Sequence, residues 1–149
     1  MSTLVISVKD AVKAAMRAKE KERLAALRLI TAEFKLVEVN ERIDVDDARA
    51  LAILDKMTKQ RRDSIAQYEA AGRNELAAVE QFEIDVISEF LPEALSDEEL
   101  AKLVADAITQ TSATGMQDMG KVMGILKPQV QGRADMAQIS QQVKAQLNA

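Results

Sequence analysis

Apolar residues recur at steps of three and four along most of this chain, most clearly at Leu24, Leu27, Ile30, Phe34 and Val37. That spacing lines one buried face of a helix. Helix is predicted from about Val8 to Val39, interrupted where "KAAMRAKEKERL" lapses into charge. A short first helix therefore breaks near Lys19 to Glu22 and a long second one follows. "NERIDVDDARA" supplies the next turn, with Asp44 as the expected N-cap because its carboxylate can accept an orphan backbone N–H. A third helix is expected from about Val45 to Ala70, ended by Gly72 in the left-handed conformation. Asn74 opens a fourth, with Leu76, Val79, Phe82, Val86, Ile87 and Phe90 at helical spacing.

Pro92 cannot continue that helix and disfavours helical Leu91, while Ser96 and Glu99 match a capping box that opens the next. The chain is thereby expected to divide into an N-terminal helical domain, 1–91, of about four helices and a three-helix tail domain, 96–149. In the tail, Leu100, Leu103, Val104, Ala107 and Ile108 face inward from the first helix. Met119, Val122, Met123, Leu126 and Val130 do so from the second, predicted over Met116 to Val130 and ended by Gly132. Asp135 can cap the third, whose core face is Met136, Ile139, Val143 and Leu147.

Composition agrees with an all-α fold. The 149 residues are 48% hydrophobic, only 3% aromatic, and contain two prolines and five glycines, which favours long helices over strands. Histidine and cysteine are both absent. That excludes disulfides, a thiolate nucleophile, the usual zinc sites and the commonest general base. No catalytic constellation stands out, and no cofactor or metal is implied. "MSTLVISVKD" is too short an apolar run for a signal peptide, and no apolar stretch is long enough to span a membrane. The cytoplasm is the expected location.

The net charge of −4 conceals segregation: residues 1–35 carry +4, 56–73 carry +3 and 74–106 carry −9. Two basic clusters are candidate phosphate-binding sites. One lies in "DMGKVMGILKPQVQGRADM", where helical geometry sets Gly120, Gly124 and Lys127 side by side, with Lys121, Gly132 and Arg133 nearby. Glycine costs roughly 1 kcal/mol against alanine inside a helix, so the strip needs a reason. Tight packing of another helix is one reading; the approach of a phosphate backbone is the other. The second cluster is Lys56, Lys59 and Arg62 in "KMTKQRRDS", with Arg73 beyond. Arg61 falls on the core face between them and needs an acid, Glu83 or Glu89. The carboxylates of "EQFEIDVISEF" alternate between faces and read as a solvated acidic surface rather than a metal cluster.

These two blocks, extended to "KMTKQRRDSIAQYEAAGRNELAAVEQFEIDVISEFLP" and "DMGKVMGILKPQVQGRADMAQISQQVKAQL", resemble the GatB/YqeY family over about Leu4 to Leu147. The last 55 or so residues are similar to the tail domain of the GatB component of tRNA-dependent amidotransferase, the part that contacts tRNA. The resemblance implies an all-α fold of two small domains and a tRNA-contacting surface bearing Lys121, Lys127 and Arg133. The amidotransferase converts Glu-tRNA(Gln) or Asp-tRNA(Asn) with glutamine as nitrogen donor, and its catalytic cradle has no counterpart here. Three function classes follow. The first is a tRNA-binding or amidation-associated adaptor without its own catalysis. The second is a part in carbon–nitrogen ligation, partnered by a tRNA synthetase or an amidotransferase component. The third is a helical protein–protein module. Neither DNA nor a membrane is an expected partner, and the acidic total argues against indiscriminate nucleic-acid binding.

Overall fold

Ser2 begins the first helix earlier than the apolar spacing predicts. Its hydroxyl accepts the Val5 N–H at 3.1 Å, and α1 runs Thr3–Ala18 rather than starting near Val8. The computed structural model describes residues 2–148. The expected break follows: Lys19 turns left-handed (φ 58°) and α2 begins afresh at Lys21–Glu41. Asp46, not Asp44, caps α3 (Asp47–Ala70), its carboxylate accepting the Arg49 N–H at 2.8 Å. Both aspartates have the right chemistry. Val45 and Ala50, buried on either side of Asp46, decide between them as a hydrophobic staple. Gly72 (φ 71°) then reverses the chain into α4, Asn74–Ser88.

Residues 1–91 and 92–149 form two separate compact units. In the first, α1 packs on α2 and α3 on α4, while α2–α4 and α1–α3 contacts complete the bundle. Val8, Leu27, Ile30 and Leu54 are fully enclosed at its centre, each large side chain contributing about 1.5–3 kcal/mol by burial. Arg61 lies at the edge of this core with its Nε 3.5 Å from the Glu83 carboxylate, both side chains only 15% exposed. That Nε makes no well-formed hydrogen bond, so the contact is a pairing of charges, supplemented by Nη1 donating to the Met57 carbonyl. Glu89 is engaged elsewhere, in a two-pronged pair with Arg23. Burial raises the Glu83 pKa, and the Arg61 charge opposes that rise.

The α4 helix departs from expectation on one point. Ala77, Ile84, Val86 and Ile87 are buried, whereas Val79 and Phe82 face outward. Apolar residues surround this helix, so spacing alone allowed more than one inward face.

The second unit joins α5 (Asp97–Thr111), α6 (Met119–Val130) and α7 (Met136–Leu147) around Val104, Val122, Leu126, Ile139 and Val143. Ser96 and Glu99 form the reciprocal capping box. A single 3-10 turn, Met116–Asp118, replaces the first turn predicted for the second tail helix. Seven α-helices and no strand are present among the described residues; the fold is all-α.

Candidate nucleic-acid interface

Val122, Leu126 and Val130 anchor α6 in the core, and the opposite face carries Gly120, Gly124, Lys127 and Pro128, all exposed. A Cβ added to Gly120 or to Gly124 would meet no atom within 4 Å. No described residue of the second unit packs on the glycine strip. Pro128 adds a second feature. Lacking an N–H, it cannot donate to the Gly124 carbonyl four residues earlier, so that acceptor lacks its usual helical donor on the exposed face.

The basic side chains of the region divide. Lys127 projects into solvent without an ion pair among the described residues, in the last turn of α6, where the helix dipole favours a cation. Lys121 is 73% exposed and meets Asp118 at 3.9 Å, a pairing of little energetic weight. Arg133 is half-buried, and its Nε donates to the Glu93 carbonyl at 3.0 Å. Its own carbonyl accepts the Leu95 N–H at 2.8 Å. Together these bonds hold 93–95 against the turn after α6, where Gly132 (φ 75°) bends the chain. The structure therefore brings Gly120, Lys121, Gly124 and Lys127 onto one open surface, and gives Gly132 and Arg133 work within the fold.

The second basic cluster divides. Lys56, Lys59 and Arg62 are all exposed along about two turns of α3. Arg73 lies past the end of α3 and pairs with Glu75 at 2.9 Å. About 12 Å of helix separates Arg62 from Ala70.

No group of carboxylates among the described residues is arranged to hold a metal ion. Among the described residues, no helix is long and apolar enough to cross a membrane. The groups that α6 presents to solvent are two ammonium groups, on Lys121 and Lys127, and a smooth backbone at Gly120 and Gly124.

A family profile described as Yqey-like protein matches residues 6–147. The chain belongs to the YqeY-like family. One relative of this YqeY-like chain is described as altered inheritance of mitochondria protein 41, mitochondrial, from Pyrenophora tritici-repentis. It is 28% identical over 140 residues, covering 92% of this chain and 77% of that protein. Another, from Schizosaccharomyces pombe and described as uncharacterized, is 28% identical over 82 residues, covering 55% and 67% respectively. The family match spans both helical units, so the α6 surface and the α1–α4 bundle belong to one family architecture.

The apolar spacing did not reveal one surface of the first unit. Glu22, Ala25, Leu29, Val79, Phe82 and Glu83 line a groove of about 390 Å³ between α2 and α4. Its signal was a second apolar row on α2, beside the one that is buried.

Proposed function

We propose that this YqeY-like protein is a non-catalytic adaptor that binds tRNA, alone or within a tRNA-amidation complex, through the outward face of α6. The observation that carries the reading is the open space over Gly120 and Gly124. Two helical glycines sacrifice stability, about 1 kcal/mol each, and no contact among the described residues of the second unit uses their smallness. Close approach by an external backbone remains as their use. Lys121 and Lys127 flank the strip with exposed ammonium groups, the side chains that position phosphates. The similarity of the tail motif to the tRNA-contacting part of the amidotransferase supports the same assignment.

Participation in carbon–nitrogen ligation fits this reading only with the reacting groups supplied by a partner, since the chain has neither cysteine nor histidine. The compartment we propose is the cytoplasm. Titration of fluorescently labelled tRNA with the whole protein, repeated at several salt concentrations, tests the assignment. Phosphate contacts give an affinity that falls linearly on logarithmic axes. Lys127→Ala should lower the slope by about one. Absence of binding at low salt, or binding insensitive to salt, would reject the adaptor reading.

A further inference from the structure

We propose that the groove between α2 and α4 is the docking site for an amphipathic helix of a partner protein, one whose apolar seam is bordered by aspartate or glutamate. This inference concerns the first unit and stands apart from the tRNA reading of α6. Two independent patterns define the occupant.

The first is an unused apolar seam. Along α2, Ala25, Leu29, Ala32, Leu36 and Val39 are all exposed and alternate at steps of four and three. That is the a/d register of a coiled coil, running for about 21 Å of helix. It lies on a different face from Leu27, Ile30 and Phe34, which fill the core. Leu36 is 51% and Val39 61% exposed, and Val79 (58%) and Phe82 (38%) extend the surface across Leu29 onto α4. Five of the nine large hydrophobics exposed among the described residues fall on this one surface. Scattered apolar residues need no explanation, but a contiguous strip of this kind marks an interaction site. A helix laid in the groove would meet α2 on one side and Val79 and Phe82 on the other.

The second pattern is charge. Lys21, Arg28 and Lys35 recur every seven residues on the flank of the seam away from α4, and all three are exposed. None has an ion-pair partner among the described residues, whereas Arg23, Arg49, Arg61 and Arg73 of the same unit each face a carboxylate. A row of three unpaired cations beside an a/d seam occupies the position that sets partner choice in coiled coils. It calls for an acidic flank on the incoming helix. A second copy of this chain meets that demand poorly. Antiparallel pairing of two α2 seams would set the basic rows against each other and Glu33 against Glu33.

The test uses the whole protein and a synthetic 21-residue peptide with leucine at the a and d positions, glutamate on the flank that meets Lys21, Arg28 and Lys35, and glutamine on the flank that meets Glu22 and Glu83. A second peptide carries lysine in place of glutamate. Calorimetric titration should show the acidic peptide binding at least about tenfold more tightly than the basic one. Leu36→Asp should weaken the acidic peptide about tenfold or more. Lys35→Glu should weaken it several-fold and improve binding of the basic peptide. Both substitutions are at exposed positions, and unchanged helical circular dichroism will verify the fold. No binding of the acidic peptide, equal binding of the two peptides, or indifference to Leu36→Asp would overturn the proposal. Sedimentation showing a dimer that Leu36→Asp dissolves would assign the groove to a second copy and equally overturn it. So would binding to phosphatidylserine vesicles that the same substitution abolishes, since a basic row beside an apolar one also suits an anionic membrane.

Discussion

Substituting alanine for Gly124 separates the two uses of the α6 strip. The new methyl group enters open space, with no atom within 4 Å of an ideal Cβ. Its effect should then come from backbone propensity alone. Alanine exceeds glycine by about 1 kcal/mol in a helix interior, and part of that gain arises from the unfolded chain, which loses conformational freedom when a side chain is added. Gly124→Ala should therefore stabilise the second unit by about 0.5–1 kcal/mol. In a domain of this size the shift is about 2–8 °C in Tm. The chain has no tryptophan, so native-state amide hydrogen exchange along α6 and α7 is the suitable readout, because it reports this unit without interference from the first. Binding should move the other way, with tRNA affinity falling as the methyl group holds the phosphate backbone off the helix. Loss of about 1–3 kcal/mol on Gly124→Ala would mean overpacking against an element that rests on the strip, and would refute the argument from open space.

The Arg61–Glu83 pair offers a second check. Arg61→Ala should cost about 2 kcal/mol by stranding a largely buried carboxylate, while replacing both residues with Met and Leu should come close to neutral, as urea unfolding of the first unit would show. The pH dependences of the two units should differ in sign at particular groups. Glu99, held below its ordinary value of 4.5 by hydrogen bonds at Ser96, contributes stability that is complete above that value and lost as pH falls through its lowered native pKa. Glu83 has the opposite shift, raised by burial, so its penalty is present above the native pKa and relieved as pH falls below it. Glu99→Gln should flatten the acid limb of the second unit and leave that of the first unchanged, measured by hydrogen exchange between about pH 3 and 6. Arg133→Ala should weaken the second unit, since its Nε bond to the Glu93 carbonyl is lost, by about 1 kcal/mol in the same exchange experiment. Lys127→Ala, with no internal contact to lose, should leave stability within about 0.5 kcal/mol of the parent.

Most of the helical framework was legible because local rules and burial agreed. The charged lapse at Lys19 became a left-handed helix end, Gly72 took the positive φ that a side chain resists, and Ser96 with Glu99 capped α5 reciprocally. Misreadings arose where two solutions satisfied the same local rule. Asp44 and Asp46 are chemically equal as caps, and the burial of Val45 and Ala50 on either side of Asp46 distinguishes them. On α4, Val79 and Phe82 keep helical spacing with the buried residues yet point outward, because a helix with apolar residues on more than one face has no preferred face until its neighbours are in place. The same ambiguity hid the seam on α2. For Arg61, spacing showed that a partner was needed but not that Glu83 would supply it, a choice made by the α3–α4 packing. The α6 strip was recognisable from its glycines alone; that it lies open depends on where α5 and α7 pack, which no local pattern encodes.

The central claim is that tRNA rests on the outward face of α6. Its most direct measurement is residue-resolved NMR of the whole protein as unlabelled tRNA is added. The account predicts amide shifts and broadening concentrated at Gly120, Lys121, Gly124 and Lys127, with Lys56, Lys59 and Arg62 on α3 and the seam of α2 undisturbed. Perturbations confined to α2 or α3, or none at α6 while tRNA binds, would contradict it.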